Sequence, residues 1–206
     1  MNLNLSIPKN IENVQPKISV IGVGGAGCNA VNTMINSKVN NINFLVANTD
    51  GQALSRSMAK TQIQLGKELT NGLGAGSDYT IGEQAAHEAI DEIMMELEDI
   101  NMLFIATGMG GGTGTGAAPI IARKAKEKGI LTVAVVTKPF ELEGAKRMKI
   151  AQEGIKELVE EVDSLITIPN QKLLEVLGED CSMLEAFKQA NDVLGGAVRG
   201  ISDIII

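Results

Sequence analysis

At 206 residues, with 44% hydrophobic residues, 2% aromatics and no Trp, the chain has room for one domain built around an aliphatic core. A net charge of −7 argues against a protein that wraps nucleic acid, since that task needs clustered Lys and Arg. No apolar run reaches the roughly 18 to 20 residues that cross a bilayer, and no charged-then-apolar leader opens the chain, so a cytoplasmic protein without direct membrane insertion is expected.

Residues 1–16 are polar and Asn-rich, with Pro8 and Pro16 and no usable period, and are expected to be a disordered tail ahead of one domain at 17–206. Ile18 to Val23 reads as a short buried strand of a parallel sheet. It runs into Gly24-Gly25-Ala26-Gly27 and Cys28-Asn29, then a helix with Cys28, Val31, Met34 and Ile35 on its apolar face. Gly22, Gly24 and Gly27 satisfy G-x-G-x-x-G, and Asp50 follows the next strand, Ile42 to Ala47, 23 residues after Gly27. That spacing suits a dinucleotide such as NAD, and the alternative stays open on these residues. The polar loop Asn48-Thr49-Asp50-Gly51 is either an ordinary turn or part of a site. Cys28 and Cys181 fit no metal spacing and are expected to be free thiols.

Gln62 to Leu65 reads as a short edge strand. Gly72, Gly74 and Gly76 make a third glycine-rich loop, which alone reads as a flexible connection. The helix after it carries Ile81, Ala85, Ala89, Ile93 and Leu97 on one face, widened by Ala86, Ile90 and Met94. His87, with no His or Cys partner, is expected to face solvent.

The strand Met102 to Ala106 then feeds Gly108 to Gly116, GMGGGTGTG, which holds six glycines and two threonines. A strand, a glycine run and a helix start make a bed for phosphate: backbone N–H groups converge, and the helix terminus adds free donors and roughly half a positive charge. A helix is expected over Ala117 to Lys128, a strand over Ile130 to Val136, and a loop at Thr137-Lys138-Pro139-Phe140. Helix Ala145 to Val162 is expected to pack through Met148, Ile155, Leu158, Val159 and Val162, before strand Ser164 to Ile168 ends at Pro169-Asn170. Alternating strands and helices imply a Rossmann-like α/β parallel sheet with helices on both faces. From about Ser182 a last helix, roughly 36 Å long at 1.5 Å per residue, carries a seam of Leu184, Phe187, Asn191, Leu194, Val198, Ile201 and Ile205. Phe187 and Asn191, four apart, suit stacking on a purine and reading its edge; without the glycine loops, a packing Phe beside a backbone-bonded Asn would be the favoured reading. The ending ISDIII is apolar, and the chain is expected to be a fragment. Two phosphate beds on one sheet edge suggest a nucleotide polyphosphate, yet no G-x-x-x-x-G-K-[ST] and no Asn-Lys-x-Asp guanine reader occurs.

GGGTGTG at 110–116, GVGGAGCNAV at 22–31, NTDGQAL at 48–54, GLGAG at 72–76, TKPFELEGAKR at 137–147 and NDVLGGAVRGISD at 191–203 resemble, in order, the FtsZ family of tubulin-like bacterial cell-division GTPases. The resemblance runs from about Lys17 to the end and implies a GTP-binding domain finished by a long core helix, with a C-terminal domain absent. By resemblance, Gly24, Gly25, Ala26, Gly27, Cys28 and Asn29 form the first nucleotide loop, with Asn29 towards the base. Gly108, Gly110, Gly111, Gly112, Thr113, Gly114, Thr115 and Gly116 form the phosphate loop, over which Gly74, Ala75 and Gly76 close at the γ-phosphate. Glu143 and Arg147, unaided an ordinary surface pair, become ribose and phosphate contacts, with Pro139 and Asn170 nearby. Phe187 stacks on guanine and Asn191 reads it.

Mg2+ is implied through phosphates and water near Asn48, Asp50 and Gln52, with no direct protein ligand. Cys28 stands where many relatives have Asn. The resemblance places water activation in a loop beyond Ile206 acting on a neighbouring subunit's GTP, so no catalytic residue is expected within the chain. It implies head-to-tail filaments at the division site, adaptor proteins bound through the absent region, and weak hydrolysis by this chain alone. A non-catalytic nucleotide module, whose only output is assembly, stands beside that reading.

Overall fold

The computed structural model describes residues 16–39, 41–178 and 181–205, with side chains to residue 203. The expected tail, apart from Pro16, lies outside these residues, as does the side chain of the seam position Ile205.

The first described strand lies in the middle of the sheet. β1 (Ile18–Val23) is buried along its whole length, as six apolar or small residues without a polar alternation dictate. It turns at once into α1 (Gly24–Asn36), and β2 (Ile42–Asn48) returns parallel beside it. The short helix α2 (Gly51–Ser55) leads to the edge strand β3 (Thr61–Gln64). After α3 (Lys67–Thr70) and α4 (Tyr79–Glu96) the chain crosses to the other side of β1, where β4 (Met102–Gly108) pairs with it. From there α5 (Thr113–Glu127), β5 (Leu131–Lys138), α6 (Ala145–Glu161) and β6 (Ser164–Pro169) extend that side. α7 (Asn170–Leu177) and the 23-residue α8 (Met183–Ile205) close the described chain.

The strand order is β3-β2-β1-β4-β5-β6, with every pairing parallel. This is a Rossmann-like doubly wound sheet, and its order reverses between β1 and β4. Ile21, Leu103 and Ile105 face one core with Ile93, Ile121 and Leu158 of α4, α5 and α6. Val20, Phe104 and Val135 face the other with Val31 and Met34 of α1 and Leu194 and Val198 of α8. A small third cluster joins Phe140 to Ala186 and Ala190.

Three expectations need correction. α5 starts at Thr113, not Ala117, so the glycine run contributes the first helical turn. Its glycines are there for contact: a Cβ on Gly116 would strike Tyr79 O, and one on Gly82 would strike Gly112 O, which lets α4 and α5 pack backbone to backbone. In α6, Val159 is 49% exposed and does not pack. In α8 the seam holds only over Leu194, Val198 and Ile201. Leu184 is 82% exposed and Phe187 41%, because the first half of the helix leaves the sheet and buries Ala186 and Ala190 against Phe140 instead. His87 is exposed, and both cysteines are free thiols, Cys28 buried. Among the described residues no helix is long and apolar enough to cross a membrane.

Candidate functional site

Parallel strands send all their following loops to one edge, and here those loops enclose a cavity of about 460 Å³. Lining it are Gly24, Gly25 and Ala26 after β1, Asn48 to Asp50 after β2, and Gly74, Ala75 and Ser77 before α4. The β4–α5 loop contributes Gly108, Met109 and Gly111 to Gly114, and the β5–α6 connection Thr137, Pro139, Glu143 and Arg147. Asn170 of α7 and Phe187 and Asn191 of α8 complete the wall.

One end is made of backbone. Neither α1 nor α5 has a side-chain cap on its N-terminus, so the first N–H groups of both remain available to a ligand at the switch point. Gly24 has φ +70°, a conformation that favours glycine, and a Cβ on Gly25 would meet nothing within 4 Å, leaving that peptide open. Gly114 is fixed from beneath, where a Cβ would strike Thr107 Oγ1 and come within 2.7 Å of Gly108 O. Thr107 itself donates to Val23 O at 2.9 Å and ties β4 to the end of β1. Thr115 is 1% exposed and accepts from Gly110 N at 2.9 Å, bracing the loop from inside.

The polar loop after β2 is a designed wall and not a free turn. Asp50 caps α2, its Oδ1 accepting from Gln52 N at 2.8 Å and Ala53 N at 3.1 Å. Asn48 accepts from Asp50 N at 3.3 Å and donates towards Cys28 Sγ at 3.9 Å. Burial pushes the Cys28 thiol up to about 12, against the opposing pull of Asn48, so it stays protonated and inert near neutral pH. The third glycine loop is likewise tied: Gly74 N donates to Thr49 O at 3.2 Å, Gly51 N donates to Gly72 O at 3.0 Å, and Asp50 bridges to Leu73.

The other end is made of side chains. Glu143, 9% exposed, accepts from Phe140 N at 2.8 Å through Oε1 and pairs with Arg147 at 2.9 Å through Oε2. Arg147 Nε also reaches Gly110 O at 3.4 Å, so the pair links the 3₁₀ turn Glu141–Glu143 to the glycine loop. It is therefore not the ordinary surface pair that its spacing suggests. Phe187 meets Phe140 edge to face, with centroids 5.2 Å apart, and lines the cavity. Asn170 is 5% exposed, and its Oδ1 has no hydrogen-bond partner among the described residues. An orphaned buried amide on a cavity wall fits a ligand that supplies hydrogen bonds there.

Several singled-out residues do not line the cavity. Gly27 and Cys28 lie beneath it, Asn29 and Gln52 are exposed beside it, and Gly76 borders a neighbouring cleft with Gly110 and Arg147. Thr115 and Gly116 support the loop from within. The wall also contains Thr49, Ser77, Met109 and Thr137, which pattern reading did not assign. Thr49 and Thr137 stand at carboxyl ends of strands, and that position was their available signal. Among the described residues no group of three or more His, Cys, Asp or Glu side chains is placed to hold a metal.

Residues 17–178 match the Tubulin/FtsZ family, GTPase domain. The chain is 62% identical over 197 residues to a cell division protein FtsZ of Pseudomonas putida, covering 95% of this chain and 50% of that protein. The corresponding protein of Rickettsia typhi is 55% identical over all 206 residues, which span 45% of it. The chain thus spans about half the length of the curated relatives it matches. Among solved structures, an empty FtsZ dimer from M. jannaschii superposes with a TM-score of 0.91 at 45% identity, covering 94% of this chain and 56% of that one.

Proposed function

The chain belongs to the Tubulin/FtsZ family, GTPase domain, and on that premise we propose that its cavity binds GTP and GDP. The observation that carries this reading is the pairing of two uncapped helix N-termini across the β1/β4 switch point with the Phe187 ring and the unpartnered Asn170 Oδ1 elsewhere on the same wall. A polyphosphate fits the first end and a purine the second, and 460 Å³ accommodates a mononucleotide. The dinucleotide alternative uses the same strand order, but it assigns Asp50 to a ribose, and Asp50 Oδ1 is committed to capping α2.

In this reading Gly25, Gly112, Thr113 and Gly114 hold phosphates through N–H groups, and Gly74, Ala75 and Gly76 close over the γ-phosphate. Glu143 holds Arg147 towards the ribose, Phe187 stacks on guanine, and Asn170 and Asn191 bond to its edge. When bound, Mg2+ would supply neutralisation of the phosphate charge. The donor set fits an ion bound through phosphate and water, since among the described residues Asp50 is the only carboxylate lining the phosphate end. The other lining carboxylate, Glu143, is occupied by Phe140 N and Arg147. Glu143 is thus engaged at both oxygens and Asp50 at Oδ1, an arrangement in keeping with hydrolysis completed by a second subunit docked head to tail over the mouth, in a cytoplasmic filament at the division site.

The test is to denature the purified chain and identify the released nucleotide by anion-exchange chromatography, then titrate GTP, GDP and NAD with Mg2+. Guanine nucleotide near one per chain is expected; a bound NAD-type dinucleotide overturns the reading. Turnover by this chain alone is expected to be slow and to rise when a full-length relative is added. A rate alone that equals the mixture removes the need for a second subunit.

A further inference from the structure

Beneath the phosphate end, two hydroxyls face one another. Thr49 Oγ1 and Thr113 Oγ1 are 2.6 Å apart, a short hydrogen bond joining the loop after β2 to the first residue of α5. Both residues line the cavity, Thr113 half-buried and Thr49 fully buried at 0% exposure.

The burial difference decides which oxygen donates. A Thr hydroxyl has one proton, and among the described residues Thr49 Oγ1 has no hydrogen-bond partner other than Thr113 Oγ1. If Thr113 donated, the Thr49 proton would be left buried and unpaired, and the Thr113 lone pairs would face the cavity. If Thr49 donates, both oxygens are satisfied, and the Thr113 proton is released towards the cavity. Leaving a buried donor unmet is the costlier choice. The direction is therefore Thr49 to Thr113, and the cavity receives a donor suited to an anion.

Thr49 also reaches the third glycine loop. Its carbonyl accepts from Gly74 N at 3.2 Å and from Thr70 Oγ1 at 3.3 Å. One residue thus touches both segments that, in the proposed function, surround the terminal phosphate.

We propose that Thr49 is a positioning residue for the nucleotide's terminal phosphate. Its buried hydroxyl orients the Thr113 O–H into the cavity while its carbonyl holds Gly74, so that the site favours a triphosphate over a diphosphate. The inference rests on the guanine-nucleotide reading of the same cavity. It needs no contact between Thr49 and the ligand.

The test is titration of GTP and GDP, with Mg2+, into the chain and into Thr49→Val, Thr49→Ser, Thr113→Val and the Thr49→Val/Thr113→Val double variant. Thr49→Val should weaken GTP about tenfold, as expected for a hydrogen bond to a charged group, and GDP by less than about threefold. Thr49→Ser restores the hydroxyl and should restore the GTP-to-GDP ratio. The double variant should match Thr113→Val alone, because Thr49 acts through Thr113. If Thr49→Val does not fold, Thr49→Ala takes its place in the same cycle. Equal losses for GTP and GDP, failure of Ser to restore the ratio, or additive losses in the double variant overturn the proposal. An unmodified chain that binds neither nucleotide overturns the underlying reading as well, and is seen before any variant is compared.

Discussion

The two ends of the cavity are built from different materials. At the switch point the wall is backbone, held by glycines so closely packed that Gly27 would strike Ala106 O and Gly114 would strike Thr107 Oγ1 if either carried a Cβ. At the other end it is side chain: Phe187, Asn191, Asn170 and the Glu143–Arg147 pair, resting on the small cluster of Phe140, Ala186 and Ala190. The first end is continuous with both main cores, so its shape and the sheet's stability are inseparable. The second can change without disturbing the sheet. A nucleotide site thus combines a phosphate bed that tolerates almost no added atom with a base and sugar wall that can be edited.

Substitutions should separate the two ends. Gly114→Ala is expected to have the largest effect, since overpacking against Thr107 and Gly108 costs about 3 kcal/mol and lowers Tm by roughly 6 to 12 °C. Thermal melts and nucleotide titration should both register it; an unchanged Tm would mean that the bed is softer than its packing indicates. Phe187→Ala comes next and should dissociate the two properties. Losing a base-stacking ring worth about 1–3 kcal/mol weakens guanine nucleotide by about fivefold to a hundredfold, while Tm moves little because Phe187 is 41% exposed. A Tm loss as large as that of Gly114→Ala would erase the contrast.

Glu143→Gln sharpens the side-chain end further. The amide can still accept from Phe140 N but no longer fixes the Arg147 guanidinium by charge, so affinity should fall about threefold to tenfold with stability nearly constant, as paired titration and melting would record. The smallest effect is expected at Asp78, the N-cap of α4. Hydrogen bonds from the Thr80 hydroxyl and then the Thr80 backbone hold its carboxyl below the usual carboxylate range. A depressed folded-state pKa adds stability that is present above the unfolded value, near pH 4, and is lost as pH falls through the folded one. Asp78→Asn should therefore flatten the acid side of the Tm-against-pH curve; an identical curve would show that this cap contributes nothing through its charge.

Much of this was legible in the residues. The unbroken apolar runs at Ile18 to Val23 and Met102 to Ala106 could only be buried parallel strands, and glycine clusters directly after strands could only gather at one sheet edge. The start of α5 was misread because glycine signals flexibility locally. Its use here is to admit Tyr79 and Gly112 backbone at contact distance, which no local pattern reports. The α8 seam was misread for a related reason: a regular period says which residues share a face, not where the helix leaves the sheet.

The sequence by itself determined the parallel α/β class, the clustering of phosphate-type loops and the Phe187–Asn191 spacing, because periodicity and backbone conformation are local properties of the chain. Only the tertiary structure decided that Glu143 is sequestered by Phe140 and Arg147, that Asn170 is left with an unmet Oδ1, and that the Thr49 hydroxyl lies 2.6 Å from that of Thr113. Glu143 and its partners lie within four residues of one another, yet how far they are buried is set by the packing around them; the two threonines are 64 residues apart, a separation closed only when the sheet brings its loops together.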